Sequence, residues 1–372
     1  MKPASFSYHP VGFKFIDMKS FISLTVLLLG LCVASCTMRK ENSGDTSFFN
    51  IPSETMIGNP LTFHKSYIML DSDEEAMFTE ISKMMYYKER LFIFDGNTSS
   101  LYIFDMSGRL QGKLDRVGQG PGEYLRLRDF DVKDDLIYLY DDRLKKILCY
   151  DLNSLEYRKS VSTPFFARAM SMLDNGNILF VLPKDQNHKQ IVVTDGSCNI
   201  LTEYIDFKEK DEDNITRYSL LQKTNRGIVY SKMCSNDVYV FSSHDGTLQE
   251  NFQVLLDGEA YDLNDADGPE LISTPLLYKN GLILGRLKKD KQIYYWESSM
   301  SHKEPCVVRK VGTSGNGINE LYDPVCSVGD SMVASYILEE MYEKTNRSLA
   351  LEYELENYLA DGGFLICLYE VK

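Results

Sequence analysis

The chain alternates between short apolar runs and polar turns along most of its length. Runs of five to eight residues rich in aromatic and β-branched side chains are separated by turns that contain Asp, Asn and Gly. A helical period is almost absent before residue 337. This pattern is typical of many short antiparallel strands, so the sequence predicts an all-β fold.

The predicted strands fall into six paired sets with a period near fifty residues. The sets are 91–95 with 100–105, 136–141 with 145–151, 177–182 with 190–195, 227–233 with 237–242, 281–287 with 292–297, and 331–338 with 363–369. The first five sets end at or directly before Asp105, Asp151, Asp195, Ser243 and Glu297, which lie 46, 44, 48 and 54 residues apart. A unit of this length with three or four strands is typical of a β-propeller blade.

Six such units predict a six-bladed β-propeller over residues 51–372. Each blade buries its two faces only against its neighbours, so the sheets have to close into a ring. We expect residues 63–70 to supply a strand that completes the last blade and closes the ring. Seven shorter blades stay open as an alternative.

Residues 337–361 interrupt the strand pattern of the last unit. Their apolar positions recur at helical spacing, at Leu351, Leu355, Tyr358 and Leu359. A glycine pair at 362–363 follows as a helix stop. The sequence therefore predicts a short helical insertion in the last blade. The insertion would either pack on the edge of the blade as a surface decoration, or act as a lid or partner-docking helix over one face of the ring.

The N-terminal region has the pattern of an exported lipoprotein. Residues 1–17 do not have the pattern of an export signal, so we expect the true start at Met18 and a signal peptide over residues 18–35. Small residues precede Cys36 as in a bacterial lipobox, which predicts that Cys36 carries a lipid. An uncleaved membrane anchor is the alternative, but the apolar run is shorter than the about 20 residues that a spanning helix needs. The polar residues 36–50 predict a flexible tether.

Charge and cysteine spacing limit the partners and cofactors. The 372 residues include 40 Lys and Arg against 54 Asp and Glu, a formal net charge of −14. Nucleic acids and anionic membrane surfaces bind basic patches, so we expect no nucleic-acid partner and a membrane contact only through the N-terminal lipid. The cysteines that follow Cys36 form no C-x-x-C pair, and their spacing predicts neither a disulfide framework nor a zinc site.

One glycine-rich stretch is the most specific motif of the chain. Residues 118–124 read Gly-Gln-Gly-Pro-Gly-Glu-Tyr, and Arg-Asp-Phe-Asp-Val follows at 128–132. Together with the repeat, this stretch makes the chain resemble the six-bladed β-propeller lipoproteins of Bacteroidetes, which are similar in shape to NHL-repeat propellers. The resemblance covers nearly all of the chain after Cys36. Most members of that family have no established activity, so the resemblance implies the fold but no catalytic residues.

The same stretch supplies the candidate site residues. The glycines at 118–122 lack the third glycine of G-x-G-x-x-G, and neither Lys-Ser/Thr nor a helix follows them, so a tight turn is a better interpretation than a phosphate loop. We expect Glu123 and Tyr124 to anchor this turn through hydrogen bonds to backbone amides. The candidates for ligand binding or loop anchoring are Glu123, Tyr124, Arg126, Asp129 and Asp131. The sequence predicts no catalytic residue and no metal ligand.

Residues 257–270 are the segment with most oxygen ligands. Their spacing misses the calcium-binding loop pattern, and no glutamate falls at the bidentate position. The segment is therefore interpreted as a solvated acidic loop. No cofactor is predicted, and a divalent cation such as calcium is the alternative.

Two classes of function fit these features. The first is a membrane-tethered binding or scaffolding module for an envelope protein, a peptide or a glycan, which the missing catalytic motifs favour. The second is a metal-dependent propeller lyase or lactonase with its site in the central channel, formed by Glu80, Asp129, Asp131 and Asn175. A sensor linked to nutrient uptake is neither supported nor opposed. The expected location is the cell envelope, with the outer membrane favoured, on either its periplasmic or its surface side.

Overall fold

The computed structural model describes residues 47–51, 64–184, 188–208, 219–231, 235–262, 267–278, 282–290, 292–299, 307–310, 325–344 and 350–370. The chain divides into two compact units, Met1–Asp45 and Thr46–Lys372. All described residues belong to the second unit. The predicted early segment 1–17, the signal peptide 18–35 and Cys36 lie outside the described residues.

The described part of the second unit consists almost entirely of strands. In chain order they are β1 (Ser47–Ile51), β2 (His64–Met69), β3 (Lys83–Tyr87), β4 (Arg90–Asp95), β5 (Ser100–Asp105), β6 (Leu110–Leu114), β7 (Leu127–Lys133), β8 (Leu136–Asp141), β9 (Lys146–Asp151), β10 (Tyr157–Ser162), β11 (Ala169–Met172), β12 (Ile178–Val181), β13 (Lys189–Thr194), β14 (Ile200–Asp206), β15 (Leu221–Thr224), β16 (Gly227–Ser231), β17 (Asp237–Phe241), β18 (Leu248–Leu256), β19 (Glu270–Leu271), β20 (Leu276–Leu277), β21 (Leu282–Lys289), β22 (Gln292–Ser299), β23 (Val307–Lys310), β24 (Cys326–Val328), β25 (Met332–Ile337) and β26 (Leu365–Glu370). Two short helices, α1 (Glu339–Lys344) and α2 (Tyr353–Ala360), lie between β25 and β26.

The strands of the described residues form six sheets of four or five strands, which we number as blades 1 to 6. Blades 1 to 4 contain β3–β6, β7–β10, β11–β14 and β15–β18 in simple up-and-down order. Blade 5 contains β19–β23, and blade 6 contains β24–β26 with β2. The prediction of a six-bladed β-propeller is confirmed, and the first strand of each blade is its inner strand.

The ring closes through strand β2. This strand pairs antiparallel with β26 in a register that runs from His64 opposite Glu370 to Met69 opposite Leu365. Blade 6 therefore takes three strands from the C-terminal end of the described chain and its outer strand from near the beginning. The closing strand predicted at residues 63–70 is confirmed. Because unpaired backbone groups at a sheet edge favour pairing with another strand, this closure ties two distant parts of the chain together.

Strand β1 differs from the sequence-based prediction. Residues 47–50 were expected in the tether, but they pair parallel with β18, the outer strand of blade 4. Ile51 is fully buried in a cluster that contains Val254 of blade 4 and Leu271 and Trp296 of blade 5. Burial of the Ile51 side chain is favourable enough to hold the segment in the sheet, although the neighbouring Asn50 is polar and exposed. The rest of the predicted tether, 36–46, lies outside the described residues.

Aspartates at the ends of strands close the hairpins. Each accepts a hydrogen bond of 2.8–3.0 Å from the backbone N–H two residues further on, at Asp95, Asp105, Asp141, Asp151 and Asp195. A short carboxylate can satisfy the backbone of a tight turn in this way. The Asp that ends each of these five predicted strands therefore has a structural reason.

The cores lie between neighbouring blades. Phe92 and Phe94 of blade 1, for example, pack on Phe130 of blade 2 with ring centroids 6.5 and 6.2 Å apart. Strands such as β4 are buried on both faces, which explains their nearly continuous apolar sequence. Stacking of this kind positions the inner strands rigidly around the central axis of the unit.

The predicted helical insertion is confirmed as α1 and α2. Leu359 of α2 and Tyr342 of α1 join a buried cluster with Ile337 of β25 and Tyr278 of blade 5. The Tyr342 hydroxyl donates a hydrogen bond of 2.6 Å to the Glu356 carboxylate and so links the two helices. The insertion thus packs on the blade 5 and blade 6 side of the ring. Neither helix within the described ranges has the length and apolar character needed to cross a membrane.

Candidate functional site: the central cavity

A cavity of about 410 Å³ lies where the inner strands meet. It is lined by residues of β3, β7, β11, β15 and β24, together with turn residues such as Asp134 and Asp174 and the first residue of β16, Gly227. These turns connect inner strands to second strands, so the cavity lies at that end of the channel. Its volume is within the range of about 300–1,000 Å³ that small-molecule sites occupy.

Each inner strand pairs with a neighbouring strand of its blade on one edge and faces the channel with the other. Side chains of neighbouring blades form hydrogen bonds with some of the backbone groups on that second edge. The Asp129 and Asp131 carboxylates of β7 accept hydrogen bonds of 2.7 and 2.6 Å from the backbone N–H groups of Met170 and Met172 in β11. Because alternate residues of a strand face the same side, the spacing of the two aspartates matches that of the two amides. These carboxylates join blade 2 to blade 3.

Polar side chains of two other inner strands also form hydrogen bonds with backbone groups of another blade. The Lys83 ammonium of β3 donates a hydrogen bond of 2.7 Å to the carbonyl oxygen of Phe130 in β7. The Gln222 side-chain amide of β15 donates one of 3.0 Å to the carbonyl oxygen of Val325, beside β24. Polar residues at these buried inner positions are therefore explained by the backbone groups that they satisfy.

The same two aspartates are neutralised by lysines. Lys83 Nζ lies 2.7 Å from Asp129 Oδ1, and Lys223 Nζ of blade 4 lies 2.5 Å from Asp131 Oδ2. The Asp131 side chain is almost fully buried, at 2 % exposure, while the Lys223 side chain is 32 % exposed. The second pair reaches past blade 3 and links blade 2 directly to blade 4.

A third lysine lies at the turn end of the cavity. Lys133 Nζ is 3.1 Å from Asp134 Oδ2 and 3.3 Å from Asp174 Oδ1. Partial burial lowers the pKa of Lys133, but the hydrogen bonds and negative charges of Asp134 and Asp174 outweigh it, so the pKa is raised above its ordinary value. Lys133 is therefore a cation at neutral pH, flanked by two carboxylates.

The four residues considered for a metal-dependent lyase do not form a metal site in the structure. Asp129 and Asp131 are engaged with lysines and amides as described above. The Glu80 carboxylate accepts a hydrogen bond from the Ser82 hydroxyl, and the Asn175 side chain accepts one from the N–H of Asn177. Across the described ranges, no group of three or more His, Cys, Asp or Glu is arranged to hold a metal ion.

A cysteine also lines the cavity. Cys326 of β24 is buried, and burial raises the pKa of its thiol to about 12. The reactive form of a cysteine is the thiolate, so at neutral pH Cys326 is a protonated, apolar lining residue. It does not supply a nucleophile to the cavity.

The glycine-rich turn lies between blades 1 and 2 and is held by its own side chains. Glu123 Oε2 accepts a hydrogen bond of 2.7 Å from the backbone N–H of Gly120. The fully buried Tyr124 hydroxyl donates to the carbonyl of Leu114 and accepts from the N–H of Arg116, both at 3.0 Å. These contacts are those expected of loop anchors, and neither residue lines the cavity.

Glycine is required at position 122 of this turn. Gly122 has a φ of +77°, and an added Cβ would lie 2.8 Å from the side chain of Tyr157 in β10. Arg126, the remaining candidate, forms an ion pair with Asp142. The glycine-rich motif is therefore a structural joint between two blades.

Of the five candidates from the sequence, only Asp131 lines the cavity. Sequence reasoning missed the three lysines Lys83, Lys133 and Lys223, and it did not weigh Asp174. Asp129 and Asp131 were candidates because they lie in the run that follows the glycine-rich stretch. The lysines had no such signal, because lysine is common in strands and turns that face solvent.

Comparisons with known proteins support the fold. A protein of Bacteroides fragilis that is provisionally described as exported superposes with a TM-score of 0.70, at 15 % identity, over 88 % of this chain and 100 % of that chain. A Bacteroides vulgatus member of the DUF4221 family matches at 9 % identity over 83 % and 97 % of the two chains, with a TM-score of 0.48. PorZ, an essential surface component of the type-IX secretion system of Porphyromonas gingivalis, matches at 11 % identity over 68 % and 29 %, with a TM-score of 0.38. No curated protein matches the chain significantly.

At 15 % identity the first match shows the fold alone, and the other two, with TM-scores below 0.5, support no argument. The decisive match is to a family of proteins. The family DUF5128, described as a 6-bladed beta-propeller, matches residues 38–265, which is more than half of the chain. The matched range covers the first four blades and the glycine-rich turn, and the chain therefore belongs to this 6-bladed β-propeller family, whose function is unknown.

Proposed function

We propose that this protein is a lipid-anchored binding module of the bacterial cell envelope. The observation that carries the proposal is the central cavity, a preformed space whose polar side chains are held by ion pairs and backbone hydrogen bonds. Sites that are formed before the ligand arrives lose little conformational entropy on binding. The ring is the rigid support, and the cavity and loops are the contact surfaces.

The chemistry of the cavity favours binding over catalysis. A general base needs a carboxylate that can reach the substrate proton. The lining residue Asp131 instead accepts hydrogen bonds from Val132, Ser171 and Met172. The Cys326 thiol is protonated at neutral pH because burial raises its pKa. The described lining therefore offers hydrogen-bond donors and acceptors for recognition.

The anchor is the second part of the proposal. We infer that Cys36 receives the lipid and that the protein is attached to the outer membrane, with an envelope protein, a peptide or a glycan as its partner. One acyl chain alone gives reversible membrane binding, whereas two or more make the anchor durable. The pattern before Cys36 and the exported description of the Bacteroides fragilis protein support this location.

The test separates the anchor from the binding surface. The full-length protein is expressed with a C-terminal tag in a bacterial host that processes lipoproteins, intact cells are crosslinked, and co-purifying molecules are identified. We expect a stoichiometric envelope partner with the wild-type chain and its loss with Cys36→Ala. A tagged Ser197→Trp variant, changed at an exposed turn, is the matched control and keeps the partner.

Two results contradict the proposal. If wild-type protein is recovered from the soluble fraction and its mass shows no attached lipid, the proposed lipid anchor is wrong. If wild type and Cys36→Ala co-purify with the same molecules and none of these is stoichiometric, the proposed binding role is wrong.

A further inference from the structure

Each positive charge at the central cavity is paired with at least one carboxylate. The charged lining residues among the described ranges are Lys83, Lys133, Lys223, Asp131, Asp134 and Asp174. Every one of these lysines forms an ion pair with an aspartate. An anionic ligand in such a cavity would have to break an existing pair, and a cationic ligand would have to compete with Lys133 for Asp134 and Asp174. Both of these cost free energy. A neutral ligand avoids both costs.

The group formed by Lys133, Asp134 and Asp174 sets donors beside acceptors. The Lys133 ammonium has three N–H donors, and the structure directs it at both carboxylates from 3.1 and 3.3 Å. The Asp134 and Asp174 side chains are 74 % and 55 % exposed, so their other oxygen sites stay accessible. Two neighbouring hydroxyl groups match this arrangement, because one donates to a carboxylate while the next accepts from the ammonium.

The remaining lining suits a ring with an apolar face. The lining also includes the partly buried, apolar Met85 and the exposed, hydroxyl-bearing Ser243. A sugar ring has C–H groups on its faces and hydroxyls at its edge, so it contacts both kinds of lining. The volume of about 410 Å³ is at the lower end of the range for ligand sites, which fits one or two sugar rings better than a folded partner.

We propose that the central cavity binds a neutral mono- or disaccharide unit, held by Lys133, Asp134 and Asp174. This inference rests on the proposed binding function and names the ligand class for its cavity. Peptides are the main competitor, and they differ in lacking adjacent hydroxyl groups. Uronic acids and amino sugars resemble neutral sugars in having adjacent hydroxyl groups, but they carry a charged carboxylate or ammonium group.

The first experiment measures binding by isothermal titration and saturation-transfer NMR with the full-length protein in detergent. The probes are mannose, galactose, N-acetylglucosamine and their disaccharides, with glucuronate, glucosamine and dialanine for comparison. We expect at least one neutral sugar to bind more tightly than the three comparison probes. Ser243→Trp places a large side chain at the cavity lining and should weaken binding at least tenfold, whereas Ser197→Trp, in the corresponding turn of blade 3, leaves it unchanged.

The second experiment tests the role of charge. Asp174→Asn removes one of the two carboxylates beside Lys133 and should raise the affinity for glucuronate relative to the neutral sugar at least fivefold. Lys133→Gln should do the same for glucosamine. Circular dichroism and urea unfolding of each variant check that the fold is intact.

Three outcomes overturn the inference: none of the neutral sugars binds, a charged probe or dialanine binds wild type most tightly, or Ser243→Trp binds as wild type does. None of these affects the crosslinking test of the proposed function, which detects any partner on any surface. If a partner is captured but no sugar binds, the proposed binding function stands and the saccharide proposal is wrong.

Discussion

The Nζ atom of Lys223 lies 2.5 Å from Oδ2 of Asp131, although the two residues belong to blades that are not neighbours. Asp131 also accepts the backbone N–H of Met172 and the hydroxyl of Ser171, so four inner-strand residues from three blades meet at one carboxylate. This junction stiffens the channel beside the cavity. Its strength is open to measurement because each partner can be replaced separately.

Replacing Asp131 by Ala should lower the free energy of unfolding by about 3 kcal/mol, because it leaves a buried amide and an ammonium without their acceptor. Trp296, the one tryptophan of the sequence, is 2 % exposed and reports urea unfolding by fluorescence. Asp115→Ala, at an exposed ion pair with Lys113, is the control and should change stability by less than about 0.5 kcal/mol.

A double-mutant cycle with Lys223→Met isolates the pair itself. We expect a coupling of at least about 1 kcal/mol between Asp131 and Lys223. Strictly additive effects of the two substitutions would show that the ion pair contributes nothing beyond the backbone contacts.

The joint between blades 1 and 2 depends on Gly122. Gly122→Ala should cost about 3 kcal/mol, because the positive φ is unfavourable for alanine and the new methyl group meets Tyr157. Gly362 has a similar φ of +85° but no neighbouring atom within 4 Å of an added Cβ. Gly362→Ala should therefore cost only about 1 kcal/mol, and equal losses in urea unfolding would refute the packing argument.

Strand β1 should contribute to stability through Ile51. Ile51→Ala removes a fully buried side chain from the junction of blades 4 and 5 and should cost about 3 kcal/mol. Leu201→Ala, at a strand position that is 56 % exposed, should change stability by less than about 0.5 kcal/mol. If the two variants unfold at the same urea concentration, the segment does not pack as described.

The hairpin aspartates should make stability depend on pH. Side-chain hydrogen bonds, from Ser107 to Asp105 and from Asn199 to Asp195, hold the pKa of each carboxyl below its ordinary value of 3.8. A carboxyl whose pKa is lower in the folded than in the unfolded protein stabilises the fold at pH values above its unfolded pKa. This contribution is lost as the pH falls through the folded pKa. The urea midpoint should decrease between pH 4.5 and pH 2.5.

The double variant Asp105→Asn with Asp195→Asn tests that origin, since asparagine keeps the turn geometry but does not titrate. Its urea midpoint should decrease less than that of wild type over the same range, with pH 7 as the common reference. An equal decrease in both proteins would assign the acid sensitivity to other groups.

The sequence by itself determined the repeat, the six paired strand sets, the closing strand near residue 64 and the helical insertion after residue 337. These features follow from local rules: strand and helix periods, turn residues such as Asp105 and Asp195, and the need of each blade to bury two faces. It also named Asp129 and Asp131 as candidate site residues.

Only the tertiary structure decided what the partners of Asp129 and Asp131 are. Lys223 lies 92 positions after Asp131 in the chain, and nothing in the pattern around either residue encodes that the two blades meet at the channel. The same holds for β1, of which residues 47–50 were assigned to the tether, because its position depends on the edge of β18 and on the residues that bury Ile51. Local sequence sets which strands form, whereas the closure of the ring sets which side chains meet, because that closure joins residues that are far apart in the chain.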